Sequence, residues 1–214
     1  MLKRYHRLIT ERALAGCVDR RALEAIIAAN LHQDHLLTGQ IGHPEFHFDD
    51  NAFAASAAYL EAQRERARQA LRQNRPLAAW KAFGRLIHTA QDLYAHSNYV
   101  RLWLERHPAE ARPPVETIDP CDEAVLTSPA LHSGKVYYVL ELASLLPPLR
   151  DWALAHLPPD SHAWMNLDSP DRGPLFDYAL EAAIKRTRLE YERTLNDLPA
   201  AQAALFAGHP PSAD

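Results

Sequence analysis

The chain has 214 residues, of which 47% are hydrophobic and 23% charged, a balance typical of a folded protein with a substantial core. Its formal net charge of -4 gives no electrostatic reason to expect a nucleic-acid partner. The two cysteines, Cys17 and Cys121, are too few for a disulfide scaffold.

Helical periodicity dominates the chain, in which Ala, Leu, Arg, Glu and Gln fill long stretches. In chain order, the first half predicts helices over residues 4–16, 19–37, 50–74 and 76–106, with a glycine-containing loop over 38–49. The second half predicts helices over residues 133–146 and 174–196, and a short helix between them that ends at residue 157. Proline-containing loops are predicted over residues 108–129 and 158–173. Residues 136–139 could instead form a strand.

This pattern predicts a single compact all-α domain over residues 1–197, followed by a flexible, proline-containing tail over residues 198–214. No uninterrupted apolar run approaches the roughly 18 residues of a membrane span. The first residues, MLKRYHR, do not form the apolar segment of a secretory signal. We therefore expect a cytoplasmic protein that could associate with membranes only through its surface.

Histidine is unusually frequent, with 12 histidines against 7 glycines. Three polar residues of the fourth predicted helix, His88, Asp92 and His96, lie one helical turn apart. Asp92 carries the only formal charge between Leu86 and Val100, so this helix is predicted to be buried with a polar row along one face. A buried carboxylate costs several kcal/mol unless it is paired or binds a metal. The row is therefore either a set of metal ligands or a hydrogen-bonded His–Asp–His ladder.

Further His and Asp residues lie at apolar or loop positions of other predicted segments. They are His6, with Thr10 one turn later, Asp34, His47 with Asp49, and His162 with Asp168. Each of them alone could equally be a core or surface residue. Together they form a set of nitrogen and oxygen ligands from facing helices and loops, which zinc accepts. A set without cysteine fits a hydrolytic site better than a purely structural one.

The block GRLIHTAQDLYAHSNYV, residues 84–100, contains the pattern His-x-x-x-Asp-x-x-x-His-Ser-Asn. With HRLITERAL, ANLHQD, HFDD and SHAWMNLD in the expected order along the chain, it resembles the heterokaryon-incompatibility HET-C family. It is also similar, more distantly, to the zinc-dependent phospholipases C. The resemblance implies an all-helical domain similar to the zinc-dependent phospholipase C fold.

The resemblance also implies two or three zinc ions per chain. The implied ligands are His6, Asp34, His47, His88, Asp92, His96, His162 and Asp168. In the phospholipase arrangement, Asp92 would bridge a first zinc and a second one at His6, and Asp34 would act as the general base. Thr10, Asp49 and Asn166 are predicted to support the ligands. Asn166 stands where the phospholipases have a glutamate, and Asp168 is the nearest carboxylate.

The implied function is that of a zinc-binding cell-death or incompatibility effector, a toxin that acts at membranes. Its partner would be phospholipid, a membrane surface or a protein of the incompatibility type. The alternative is a zinc-dependent phosphodiester hydrolase of the phospholipase C type, in which paired metals activate water. A third hypothesis is a helical protein in which the His and Asp side chains only form hydrogen bonds with one another in the core. Whether the chain is an enzyme stays open at this point.

Overall fold

The structure is a computed structural model that describes residues 1–107, 112–144 and 146–209. Most of these residues are helical, and none of them forms a β-strand, which confirms the all-α class. The helices of the first half are α1 (Lys3–Leu14), α2 (Arg20–His32), α3 (Phe53–Arg72), α4 (Pro76–His96) and α5 (Tyr99–Glu105). Those of the second half are α6 (Glu123–Leu126), α7 (Tyr138–Ser144), α8 (Arg150–His156), α9 (His162–Met165), α10 (Leu175–Leu195) and α11 (Ala200–Ala207).

Helix α4 lies at the centre of the fold, with α2, α3 and α10 packed against it. Every residue from 86 to 96 is buried, as the scarcity of charge in this segment predicts. Gly84 permits the close approach of α2, because a Cβ atom there would lie 2.4 Å from the carbonyl oxygen of Ile26 and 3.0 Å from the amide nitrogen of Asn30. This crossing brings the side chain of Asn30 next to His88.

The prediction of one continuous helix over residues 76–106 is wrong, because the helix is interrupted between α4 and α5. Ser97 is extended, and its hydroxyl donates to the carbonyl oxygen of Leu93 at 2.5 Å and accepts from the amide of Tyr99 at 3.2 Å. The segment at Ser133 pairs with this break, and the amide of Gly134 donates to the His96 carbonyl oxygen at 2.9 Å. The carbonyl group of His96, at the C-terminus of α4, thereby gains a hydrogen bond from a distant part of the chain.

Several other predicted boundaries also differ from the structure. Helix α2 ends at His32 rather than at residue 37, and a π-helical turn, Leu36–Gln40, follows it. Helix α7 covers only part of the predicted helix 133–146, in which residue 145 lies outside the described residues. Residues 136–139 do not form a strand. The predicted loop over 108–129 contains α6, and its residues 108–111 lie outside the described part.

The sequence predicts a flexible tail from residue 198, and the structure instead has the helix α11 there. Phe206 is fully buried, and its carbonyl oxygen accepts a hydrogen bond of 2.7 Å from the indole nitrogen of Trp80. The amide of Asp19 donates to the Ala207 carbonyl oxygen at 2.7 Å. Residues 210–214 lie outside the described residues. Among the helices that the structure describes, none combines the length and apolar character of a membrane span.

Candidate metal centre

The predicted ligands converge on the C-terminal half of α4. They come from α1, the end of α2, the loop before α3, α4 itself and the segment that begins at α9. All eight lie in one cluster of mutual contacts: His6, Asp34, His47, His88, Asp92, His96, His162 and Asp168. The structure thus brings together every residue that the sequence predicts as a ligand.

The loop that carries His47 and Asp49 has a strained backbone. Phe48, Asp50 and Asn51 all have positive φ angles, of 57°, 53° and 57°. Aspartate and asparagine adopt this left-handed region readily, but phenylalanine rarely does, so the strain lies at Phe48. Tertiary hydrogen bonds hold this conformation, because Asn51 and Ser133 exchange two of them, at 2.9 and 2.8 Å. Strain of this kind is typical of functional sites. It aims His47 and Asp49 at the end of α4.

A chain of buried hydrogen bonds fixes the tautomer of His6. The hydroxyls of Thr10 and Thr187 each donate to the carbonyl one turn earlier in their own helix. Their oxygens therefore accept from Nε2 of Gln91, at 3.3 and 3.0 Å. In this orientation Gln91 Oε1 accepts a hydrogen bond from Nδ1 of His6, at 2.6 Å, and another from the side-chain nitrogen Nδ2 of Asn30, at 3.1 Å. When neutral, His6 thus has its lone pair on Nε2.

The same reasoning fixes two more histidines. Because the Asn30 amide nitrogen is used as a donor, its Oδ1 accepts from Nδ1 of His88 at 3.1 Å. Nε2 of His47 donates to the carbonyl oxygen of Gly39 at 3.2 Å. When neutral, His88 therefore has its lone pair on Nε2, and His47 has its lone pair on Nδ1. Both lone pairs face Asp92.

The ligand atoms around His88 have a spacing that a divalent cation could accept. Nε2 of His88 lies 3.1 Å from Asp92 Oδ2, 3.1 Å from His47 Nδ1 and 3.6 Å from Asp34 Oδ1. His47 Nδ1 lies 3.0 Å from Asp92 Oδ2. In tetrahedral zinc sites with bonds of about 2.0–2.1 Å, neighbouring ligand atoms are about 3.3 Å apart. These four residues fit a divalent cation, which would also satisfy their converging lone pairs.

The other oxygen of Asp92 faces a second position. Oδ1 lies 3.2 Å from Nε2 of His6, but the two atoms are not aligned as a hydrogen bond, so His6 Nε2 is a buried nitrogen without a partner. In the structure the amino group of Met1 lies 2.6 Å from Asp92 Oδ1 and 3.1 Å from Asp168 Oδ1. A positive charge therefore already lies between these carboxylates. Asp92 is placed to bridge two cations.

Asp49, His96 and His162 form a third group that could hold an ion. Asp49 Oδ1 lies 3.2 Å from Nδ1 of His96 and 3.0 Å from Nδ1 of His162. Asp168, whose Oδ1 lies 3.3 Å from His96 Nε2, completes this side of the cluster. Asp49 is predicted as a supporting residue, and the structure places it in direct contact with two ligands.

The two other residues that are expected to support the ligands, Thr10 and Asn166, lie beside them. Thr10 accepts from Gln91 and so belongs to the hydrogen bonds that orient His6. Asn166 donates through Nδ2 to the carbonyl oxygen of His162 at 3.0 Å, while its Oδ1 is buried without a hydrogen-bond partner.

Burial and charge together set the protonation of the cluster. Burial alone would raise the pKa of Asp92, but the Met1 amino group and the imidazole of His96 hold this pKa well below its usual range. Burial lowers the pKa of His88 to about 4, so its imidazole is neutral at pH 7. The pKa of Asp168 is also lowered, because the Met1 amino group and His96 outweigh the effect of burial. The imidazoles differ, because burial lowers the pKa of His88, whereas Asp92 and Asp49 outweigh burial and raise the pKa of His47 and His96.

The cluster forms one wall of a cavity of about 970 Å³. The ligands on this wall are Asp34, His47, Asp49, His96, His162 and Asp168. Apolar side chains also line the cavity, among them Leu36, Ile41, Val136, Tyr138, Leu142 and Leu154. His6, His88 and Asp92 are fully buried behind the ligand wall. A ligand in the cavity could therefore contact polar and apolar surfaces at the same time.

Sequence reasoning missed several residues of the site. Asn30 and Gln91 orient the histidines, and the signal for them was an uncharged amide in an apolar helix segment next to a predicted ligand. Met1 and Glu141 also line the cavity, and no sequence pattern marks either of them.

The fold and the cluster define an all-α protein whose buried histidines and carboxylates could hold metal ions. Residues 10–118 match the family model described as the VWA7 N-terminal domain. Because this match covers just over half of the chain, the chain belongs to the VWA7 N-terminal domain family. The matched region includes five of the eight predicted ligands but not His6, His162 or Asp168. No curated protein and no solved structure matches the chain.

Proposed function

We propose that the cluster binds zinc, two or three ions per chain, and that the protein hydrolyses the phosphodiester bond of phospholipids. The observation that carries this proposal is the spacing of the ligand atoms around His88, 3.1–3.6 Å, beside a cavity that is lined in part by apolar side chains. The likeness to the HET-C family and to the phospholipase C fold, which rests on the motif pattern, agrees with it.

The residues of the cavity have distinct roles in this proposal. Bound zinc would supply a Lewis acid for a phosphodiester oxygen and lower the pKa of water. Asp34 lines the cavity, and its Oδ2 is buried without a hydrogen-bond partner. This oxygen is free to accept the proton of the attacking water, which is the role of a general base. The apolar wall holds the lipid part of the substrate and excludes water from it.

An exposed apolar face beside the cavity suits a lipid substrate. Val139 is 83% exposed and Trp152 54% exposed, on the helices α7 and α8. Leu142 is both exposed and part of the cavity lining, so this face is continuous with the site. Large apolar side chains in contact with water favour transfer to a membrane interface. The face would lie on the bilayer while the cavity receives one phospholipid.

The same face favours a second candidate function, that of a zinc-containing cell-death effector of the HET-C type. In that case zinc stabilises the fold, and toxicity comes from insertion of the apolar face into a membrane or from a protein partner. Both functions need the cation cluster, and the hydrolase and a membrane-inserting effector also need the membrane. They differ in whether a phosphorylated head group is released.

One experiment separates them. Zinc-loaded protein is added to vesicles of phosphatidylcholine and phosphatidylserine that contain a self-quenched dye, and both head-group release and leakage are measured. The matched variant is Asp34→Asn, which keeps an oxygen for the metal but cannot accept a proton. Asp151→Asn, at an exposed position of α8, is the control.

Head-group release that falls about 10²–10⁴-fold in Asp34→Asn, but not in Asp151→Asn, supports the hydrolase. Leakage without release contradicts the hydrolase and supports the effector. If zinc-loaded protein causes no release and no leakage, both the hydrolase and a membrane-inserting effector are contradicted.

A further inference from the structure

The three ligands of the third group come from separate parts of the chain, and one short segment contacts all of these parts. His96 ends α4, Asp49 lies in the loop before α3, and His162 begins α9. Residues 133–136, called the linking segment below, form hydrogen bonds with each of these parts. The segment is therefore placed to set the geometry of the whole group.

Gly134 connects two of the ligands through its own backbone. Its amide donates to the carbonyl oxygen of His96 at 2.9 Å, and its carbonyl oxygen accepts from the amide of Asp50 at 2.9 Å. Asp50 directly follows Asp49, and its Oδ1 accepts from the amide of Val136 at 2.8 Å. Because Gly134 is buried, its backbone groups depend on these protein partners. The end of α4 and the loop before α3 are thereby held together.

His162 packs directly on Gly134, where a side chain would not fit. A Cβ atom at position 134 would lie 2.6 Å from the Cα atom and 3.0 Å from the backbone nitrogen of His162. Lys135 fixes this approach, because its amide donates to the carbonyl oxygen of Asp160 at 2.8 Å and its carbonyl oxygen accepts from the amide of His162 at 2.8 Å. The missing side chain at position 134 thus sets how closely His162 approaches the other two ligands.

The position of His162 decides whether the group can share one cation. Its Nδ1 lies 3.0 Å from Asp49 Oδ1, and its ring centroid lies 4.4 Å from that of His96. To restore an ordinary contact of 3.4 Å with a Cβ atom at position 134, the His162 Cα atom would have to move by roughly 0.8 Å. Ligand distances in metal sites vary by only about 0.2 Å. A side chain at position 134 would therefore disrupt the group.

We propose that Gly134 is the positioning residue of the third group. Its missing side chain and its two backbone hydrogen bonds hold the three ligands at the spacing of one cation. This inference rests on the proposed zinc binding. Because Asp49, His96 and His162 all line the cavity, Gly134 controls the part of the centre that lies nearest to a ligand in the cavity.

The test compares the wild-type chain with Gly134→Ala and with the matched control Gly208→Ala. Gly208 is the C-cap of α11 and has a positive φ of 88°, and a Cβ atom there would overlap the carboxylate of Asp19. The control therefore strains the fold at a helix that carries none of the ligands. Zinc affinity and stoichiometry are measured by competition with a chelator, and the stability of the zinc-free proteins is measured by urea denaturation.

In Gly134→Ala we expect one zinc ion per chain to bind at least about tenfold more weakly, while the others keep their affinity. Gly208→Ala should be less stable without zinc and should bind every zinc ion as the wild type does. The double variant Gly134→Ala/His162→Ala separates positioning from a merely structural role. If the alanine acts through His162, the double variant binds zinc no more weakly than His162→Ala alone. A merely structural role would weaken binding further in the double variant.

Asp50→Gly tests the linking segment without a steric clash. Glycine accepts the φ of 53° at this position, and the amide of Val136, which loses its acceptor, is exposed to water. This variant is therefore compatible with folding. We expect its affinity for the same zinc ion to fall about twofold to tenfold, because the loop that carries Asp49 is less ordered before zinc binds. If Gly134→Ala does not fold, this result decides the proposal.

Equal zinc affinity in Gly134→Ala, Asp50→Gly and the wild type would overturn the role of Gly134 and leave the proposed function standing. Binding that is weakened as much in Gly208→Ala as in Gly134→Ala would also overturn it, because the effect would then follow from stability alone. Wild-type protein that binds no zinc would overturn both the positioning role and the proposed function.

Discussion

Gln91 provides a sharp test of the site because it does not line the cavity and yet orients His6 and Asn30. Its amide oxygen accepts from His6 Nδ1 at 2.6 Å and from Asn30 at 3.1 Å. Its amide nitrogen donates to Thr10 and Thr187. The substitution Gln91→Met keeps a side chain of similar length and volume and removes all four hydrogen bonds.

The expected loss follows from the groups that remain. The N–H of His6 is left without an acceptor in a fully buried position, which costs about 1–3 kcal/mol. Asn30 keeps its contact with Thr10 at 3.3 Å, so its share is smaller. We expect Gln91→Met to lower the free energy of unfolding by about 2–4 kcal/mol. The ring of His6 is also no longer held with its lone pair towards Asp92, so zinc affinity should fall about 10–100-fold.

The assay is urea denaturation of the zinc-free protein, together with zinc titration against a competing chelator. The control is Gln63→Met, a buried glutamine of α3 whose amide oxygen has no hydrogen-bond partner. We expect Gln63→Met to change stability little and to leave zinc affinity unchanged. If Gln91→Met bound zinc as tightly as Gln63→Met does, the hydrogen bonds to Gln91 would not set the tautomer of His6, and the reasoning would be refuted.

Two further substitutions test the packing around the site. Gly84→Ala would place a Cβ atom 2.4 Å from the Ile26 carbonyl oxygen. We therefore expect chemical denaturation to show a free energy of unfolding that is lower by about 2–4 kcal/mol. A decrease below about 1 kcal/mol would contradict the close crossing of α2 and α4. Glu190 is fully buried and accepts from Arg186 at 2.7 Å. Burial alone would raise the pKa of Glu190, but Arg186 and Arg64 lower it, so its contribution to stability is present above its ordinary value of 4.5 and is lost as the pH falls towards the lowered value. Glu190→Gln should therefore cost about 3 kcal/mol at pH 7, and a penalty that does not shrink in acid would contradict this sign.

The helical class and the ligand row could be predicted because both depend on local periodicity. His88, Asp92 and His96 stand one turn apart in a segment with a single charge, and all three are buried in the structure. The N-cap at Asp19 is local as well, and its carboxylate accepts from the amide of Ala22 at 2.7 Å. Such features require no knowledge of the rest of the fold.

The remaining features depend on contacts between distant parts of the chain. The break after His96 requires the pairing of Ser97 with Ser133, which no local pattern contains. Helix α11 is stable where it contacts Trp80, so composition alone could not distinguish it from a frayed tail. The contact of Asp49 with two histidines follows from a strained loop whose conformation is held by tertiary hydrogen bonds. Local sequence patterns could list the candidate ligands, whereas their assignment to groups came only from the motif resemblance, which gave Asp49 no more than a supporting role.

The metal content of the purified protein, measured with its melting curve before and after chelation, decides whether the cluster is a metal centre. We expect two or three zinc ions per chain. Their removal by EDTA should lower the melting temperature sharply, because a ligand that binds only the native state stabilises it by about 4 kcal/mol at a thousandfold excess over its dissociation constant. The account would be contradicted if the purified protein contained no metal and its melting curve were the same with EDTA and with added zinc. In that case these histidines and carboxylates would only form hydrogen bonds with one another in the core.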